Sequence, residues 1–177
     1  SLEAQPSFQK LLGSGEDLGL RISYTEQSQP NGIAEAFILG EEFIGDDPCA
    51  LILGDNLFHG HGLSELLSQA AQLTSGAHIF TNWVSDPERY GVANFDNSGN
   101  IEELNEKPKK PTSNWAVVGI YFFDNKVSTI AKTILPSSRG ELEILDVIQN
   151  YLNEKTLKVE KLGRGYSWLD TGTPQSL

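Results

Sequence analysis

The sequence contains no methionine and one cysteine, Cys49. Without an initiator methionine, the 177 residues are expected to be a piece of a longer protein. A lone cysteine makes no internal disulfide, which points to a reducing, cytoplasmic compartment. Basic residues are scarce: 13 Lys and Arg face 24 Asp and Glu, a net charge of −11. Holding nucleic acid needs clustered cations to neutralise phosphates, so that class of partner is excluded. Long apolar runs are also lacking. The longest, Trp115–Phe123, falls far short of the ~20 residues of a membrane-spanning helix, and no targeting segment is visible. Neither a Gly-x-x-x-x-Gly-Lys-Ser/Thr phosphate loop, nor Gly-x-Gly-x-x-Gly, nor a Gly-x-Ser-x-Gly elbow occurs, which leaves P-loop, dinucleotide and serine-hydrolase readings without support. His59 and His61 flank a glycine, but His78 falls in an apolar run and no further Cys or His stands at zinc-ligand spacing.

What remains is a chain 38% hydrophobic, enough for one core and one domain over residues 1–177. Residues 8–12 look helical and stop at Gly13. Alternation of Leu20, Ile22 and Tyr24 with polar residues predicts a strand over 20–25. A Pro/Gly loop over 26–32 follows, with Asn31 placed to cap a helix over 33–43. Cys49, Ala50, Leu51, Ile52 and Leu53 form an unbroken apolar run, the pattern of a strand buried on both faces in a parallel sheet. Gly54 ends it, and Asp55 would stand at its carboxyl end, where open α/β sheets bind ligands. The stretch 56–62 reads as a loop, and Leu63, Leu66, Leu67 and Ala70 mark an amphipathic helix. Strands are predicted over 77–84 and Trp115–Phe123, with a hairpin around 96–100 between 92–95 and 101–104, which implies a mixed sheet. Helices follow over 127–135 and 141–153, then short strands over 157–162 and 167–169.

Two aspartates stand after apolar strands, Asp55 and Asp170. Magnesium prefers oxygen ligands and is commonly held by one or two carboxylates plus substrate phosphates, so the two could share one ion. Asparagine or aspartate at a strand end is equally a turn residue. Lys107 and Arg139 lie in loops and could meet phosphate, Arg through a bidentate fork and Lys as a point charge. Glu141 and Glu143 are two apart, so a helix beginning after Leu142 would let Glu141 point into a crevice.

Several stretches recur together: Glu26-Gln27-Ser28-Gln29-Pro30-Asn31-Gly32, Leu53-Gly54-Asp55-Asn56, Asp86-Pro87-Glu88-Arg89-Tyr90-Gly91, Glu106-Lys107-Pro108, Arg139-Gly140-Glu141-Leu142-Glu143-Ile144 and Trp168-Leu169-Asp170-Thr171-Gly172-Thr173. In that order they resemble the bacterial glucose-1-phosphate thymidylyltransferases. The resemblance implies an α/β, Rossmann-like nucleotidyltransferase fold with a mixed, mostly parallel sheet flanked by helices. It implies transfer of dTMP from dTTP to glucose 1-phosphate, giving dTDP-glucose for dTDP-rhamnose biosynthesis and pyrophosphate, with Mg²⁺ as cofactor. By the same resemblance Gln27 and Gly32 lie against thymine, and Asp55 and Asp170 hold the metal. Asn56 binds substrate, Tyr90, Gly91, Glu106 and Val117 line the sugar pocket, Lys107 and Arg139 meet the sugar phosphate, Glu141 faces the sugar, and Trp168 walls the pocket. A homo-oligomeric parent is expected.

The family's Gly-Gly-x-Gly-Thr-Arg loop and Lys-Gln-Leu-Leu-Pro segment are not in this sequence, which implies that one or two N-terminal βα units are missing and that the chain alone is inactive. Leu145 stands where the family has threonine, a change that bears on sugar selectivity. The alternatives to weigh are a sugar-1-phosphate nucleotidyltransferase using UTP or CTP and a non-catalytic sugar-nucleotide-binding or assembly module.

Overall fold

A computed structural model of the chain describes residues 5–172. Helix α1 (Gln5–Leu12) ends at Gly13, whose φ of 55° breaks the helix. Next come α2 (Glu35–Leu39), α3 (Glu41–Ile44) and strands β1 (Cys49–Ile52) and β2 (Asn56–Gly60). Helix α4 (Leu63–Ala70) and strand β3 (Ala77–Trp83) follow, then the hairpin β4 (Gly91–Phe95) and β5 (Ile101–Glu106). Strand β6 (Trp115–Phe123), helices α5 (Val127–Ala131) and α6 (Ile144–Asn153), and strands β7 (Leu157–Lys161) and β8 (Tyr166–Asp170) complete the described elements.

Six strands form one sheet in the order β5-β4-β6-β3-β7, with β1 also paired to β6, while β2 and β8 form a separate ribbon. Strand β6 is the axis. Its aromatic and β-branched residues are buried on both faces, Val117, Tyr121 and Phe123 toward α2, α5 and α6, and Val118, Ile120 and Phe122 toward the side of α4 and the ribbon. Helices therefore cover both faces of the sheet, as expected for an α/β fold. The sheet is mixed, but its pairing corrects the expectation of a mostly parallel one. Among the described residues only β3 and β7 pair parallel; β1, β3 and β4 all run antiparallel to β6.

Other corrections have local causes. Residues 20–25 form no strand; the Leu20 and Ile22 amides donate to the Gly15 and Ser14 carbonyls of the preceding loop, and period-2 alternation makes no sheet without a ladder partner. The helix expected over 33–43 breaks at Gly40 into α2 and α3, and Asn31 does not cap it. The Asn31 amide instead donates to Glu35 Oε1 at 2.8 Å. Strand β1 is not buried on both faces: Ile52 is 58% exposed, and the strand pairs with β6 alone. The stretch expected as a loop over 56–62 contains β2. Among the described residues no helix is long and apolar enough to cross a membrane.

Candidate active site

Strand β1 delivers the chain to the end of the sheet, where Leu53 N–H still donates to the Gly119 carbonyl of β6 at 2.9 Å. The chain then turns, and β2 departs antiparallel to β8 in a register that sets Asn56 opposite Asp170 and Phe58 opposite Trp168. The Thr171 amide and hydroxyl both donate to the Asp55 carbonyl, each at 2.8 Å. This ribbon brings together two aspartates far apart in sequence. A Cβ built on Gly172 would lie 2.9 Å from Asp55 Oδ2 and 3.1 Å from Asp170 Oδ1, so both carboxylates face one open point that glycine leaves free. Among the described residues no group of three or more His, Cys, Asp or Glu is arranged to hold a metal ion. Two carboxylates with open positions beside them fit Mg²⁺, which takes oxygen donors and keeps room for water and phosphate, and do not fit a closed zinc site. The last motif residue, Thr173, lies outside the described residues.

Beside the aspartates opens a cavity of about 180 Å³. It gathers Asp55, Asn56, Tyr90, Gly91, Glu106, Lys107, Val117, Trp168 and Asp170 from the expected residues. Its apolar lining is made by Ile33, Leu53, Val117, Ile144 and Leu145; Asp55, Arg89, Glu106, Lys107 and Asp170 bring the charges. Trp168 meets Tyr90 edge to face, ring centres 5.1 Å apart, and burial pushes the Tyr90 hydroxyl up from its ordinary pKa. Lys107 follows β5 with a φ of 41°, a conformation that non-glycine residues adopt at a cost and that is enriched at functional sites.

Arg139 does not line the cavity but borders it. Its Nη2 donates to Glu143 Oε2 at 2.8 Å, to Glu141 Oε2 at 3.2 Å and to Glu106 Oε1 at 3.3 Å. Burial by itself would raise the Glu143 pKa, but the hydrogen bonds from Arg139 and Ser137 outweigh it and hold the carboxyl below its usual range. Glu106 goes the other way: burial first, then the charge of Glu143, push it up. Helix α6 begins at Ile144, so Glu141 does lie in the loop before it. Gln27 and Gly32 stand apart from the cavity. The Gln27 amide donates to the Gly32 carbonyl at 3.0 Å and to Glu35 Oε2 at 2.6 Å.

Sequence reasoning gave no site role to Arg89, Gly119 or Glu143, nor to Ile33, Leu53 and Ile144 of the apolar lining. Arg89 borders the cavity, bonded to Asp86 Oδ2 at 2.9 Å with its guanidinium 5.3 Å from the Tyr90 ring centre. The signal was available, since a cation inside a motif of so acidic a chain is itself notable.

The family described as nucleotidyl transferase matches residues 2–177. The chain belongs to the nucleotidyl transferase family. Within that family it is 53% identical over 173 residues to the glucose-1-phosphate thymidylyltransferase of Xanthomonas campestris pv. campestris (strain B100), an alignment spanning 98% of this chain and 59% of that protein. The protein of the same name from Mycolicibacterium smegmatis is 50% identical, over 97% of this chain and 59% of its own length. The chain thus spans about 59% of the length of these nucleotidyl transferase relatives. A Bacillus anthracis structure assigned as a glucose-1-phosphate thymidylyltransferase, in complex with sucrose, superposes with a TM-score of 0.84 at 40% identity, covering 97% of this chain and 68% of that one. A UDP-glucose pyrophosphorylase complexed with UDP-glucose shares the fold, with a TM-score of 0.76 at 24% identity over 96% of this chain and 69% of that one.

Proposed function

We propose that this chain carries the metal- and sugar-phosphate-binding part of a glucose-1-phosphate thymidylyltransferase. The observation that carries the reading is the convergence of Asp55 and Asp170 on one point at the mouth of a cavity whose rim holds Glu106, Lys107 and, just outside, Arg139. In the longer protein an oxygen of the glucose 1-phosphate phosphate attacks the α-phosphorus of dTTP, the bond to the β-phosphate breaks, and pyrophosphate leaves. Positioning and charge compensation do most of the work in such transfers. Asp55 and Asp170 would hold Mg²⁺, which supplies Lewis-acid stabilisation of the phosphoryl oxygens. Lys107 offers a point charge to the sugar phosphate. Arg139, held by its three carboxylates beside Glu106, would meet the same anion. Gln27 and Gly32 would meet the thymine edge, Glu141 the sugar side, and Tyr90, Gly91, Val117 and Trp168 enclose the sugar. A cytoplasmic, homo-oligomeric parent that acts in dTDP-rhamnose biosynthesis completes the proposal.

Calorimetry on the chain with glucose 1-phosphate, dTDP-glucose and UDP-glucose, each with and without Mg²⁺, tests it. Mg²⁺-dependent binding of dTDP-glucose in preference to UDP-glucose, lost in Asp55→Asn, is the expected result. Equal binding of both nucleotides, or binding indifferent to Mg²⁺ and to Asp55→Asn, would overturn it.

A further inference from the structure

The side chain of Asn56 is committed on both of its polar atoms. Its Oδ1 accepts from the Trp168 indole Nε1–H at 2.7 Å and from the Gly119 backbone N–H at 3.0 Å, and its Nδ2 donates to Asp55 Oδ1 at 2.8 Å. The amide orientation is forced. An indole and a backbone amide can only donate, so the atom between them must be the oxygen, and the nitrogen then turns to the carboxylate. Three strands meet in this one group: β2 contributes Asn56, β6 Gly119 and β8 Trp168. The approach needs a glycine on β6, because a Cβ at 119 would stand 2.5 Å from Asn56 Oδ1 and 2.8 Å from Asn56 Cγ.

We propose that Asn56 is a positioning residue, a clamp that fixes the Asp55 carboxylate and the Trp168 ring relative to each other before any ligand arrives, and that Gly119 is the position that makes room for it. The proposal rests on the reading of Asp55 as a metal-holding carboxylate. It departs from the substrate-binding role that family resemblance gives Asn56, since the carbonyl oxygen has both of its lone pairs in use and one amide hydrogen is held by Asp55. Groups that orient a metal-holding side chain typically change metal affinity by about tenfold or more when removed.

Amide and indole proton NMR on the ligand-free chain reads the clamp directly, with Trp168→Phe used to assign the indole signal. Asn56→Leu should shift the Trp168 Nε1–H and Gly119 N–H signals and speed their exchange with deuterium, whereas Asn56→Asp, which keeps an acceptor oxygen in place, should leave both protected. Mn²⁺ titrated in the absence of nucleotide and sugar should bind about tenfold more weakly to Asn56→Leu. Unchanged indole and Gly119 exchange in Asn56→Leu, or Mn²⁺ affinity equal to that of the unmodified chain, would overturn the proposal. A loss confined to glucose 1-phosphate affinity would do the same, returning Asn56 to a direct substrate contact. Because Gly119→Ala alone could prevent folding, thermal melts of Asn56→Ala, Gly119→Ala and the double variant supply a separate test. If the two positions form one device, the alanine at 119 costs less once Asn56 is cut back, because the remaining close neighbour, Leu53 Cδ1 at 2.8 Å, is the end of a side chain that can turn aside; fully additive losses count against it. The exchange, Mn²⁺ and melting signals need neither nucleotide nor sugar, so a failure to bind dTDP-glucose would sink the proposed function and leave the clamp standing.

Discussion

A single methyl group at position 172 would occupy the point that Asp55 Oδ2 and Asp170 Oδ1 both face. The residue is exposed and sits at the end of the ribbon, so Gly172→Ala should leave the thermal midpoint within about a degree of the unmodified chain, a change typical of surface substitutions. Mn²⁺ affinity, measured by water-proton relaxation, should nonetheless fall at least about tenfold; an unchanged affinity would separate the two carboxylates from metal binding. Leu145 makes a different kind of point. It is 4% exposed, borders the cavity, and would have its Cδ1 only 2.7 Å from a Cβ on Gly91. An apolar wall makes no hydrogen bond to a sugar hydroxyl and so penalises little the analogue that lacks it. At least one monodeoxyglucose 1-phosphate should therefore bind as tightly as glucose 1-phosphate. Leu145→Thr should open a gap of about tenfold in favour of the full hydroxyl set, at about 2 kcal/mol of stability for the lost packing.

Two loops, not a strand or helix, tie the cavity's apolar wall together. Leu142 N–H donates to the Asn31 carbonyl at 2.6 Å and Ala34 N–H to the Leu142 carbonyl at 3.2 Å, so the turn before α2 is laced to the turn before α6. Gly32 lies between them at a φ of 109°, and a Cβ there would collide with the Leu142 backbone, which cannot swing aside as a side chain could. Gly32→Ala should lower stability by about 3 kcal/mol, read in a denaturant melt, and loosen Ile33 and Ile144 on the cavity wall. Nothing local in the sequence showed this lacing, although Gly32 stood out as a site residue. Legibility followed the range of the forces involved. Strand β6 was plain because nine consecutive residues suit burial on both faces, and the β4–β5 hairpin because Asp96 Oδ1 accepts from the Ser98 and Asn100 amides, a turn encoded in adjacent residues. The ribbon was not: Asn56, His59 and Gly60 are poor strand formers, and β2 exists through its pairing with β8, a partner far along the chain. The aspartates could be chosen from their places after apolar runs, but their convergence depends on that same unseen register. Strand β1 misled because an apolar run reports hydrophobicity and not which faces are covered, and Ile52 remains largely open.

The whole chain is acidic, and the buried Glu143 and half-buried Glu106 titrate in opposite senses. Glu143 starts from an ordinary value of 4.5 and is held lower by Arg139 and Ser137. Its stabilising effect is fully present above 4.5 and is lost as pH falls through the depressed folded value. Glu106 starts from the same 4.5 and is raised by burial and by the nearby Glu143 charge. Its stabilising effect is fully present below 4.5 and is lost as pH rises through the elevated folded value. The net charge of −11 acts in the same direction as Glu106, since self-repulsion eases as carboxylates take up protons. Stability should therefore climb as pH drops through the elevated Glu106 value toward 4.5, a climb that His78, its pKa pushed below 6.5 by burial, offsets in part, and should fall as pH drops on through the depressed Glu143 value. Glu106→Gln removes one neutral-pH penalty, so it should raise the midpoint at pH 7 and flatten the climb. Glu143→Gln should lower stability at pH 7 by about 2 kcal/mol, the worth of hydrogen bonds to a charged partner that is partly exposed to screening water, and soften the acid collapse. Thermal melts of the three proteins from pH 3 to 8 decide the matter. Identical acid limbs for Glu143→Gln and the unmodified chain would show that the Arg139 cluster contributes nothing to acid stability, and that its carboxylates serve only to hold the guanidinium beside the cavity.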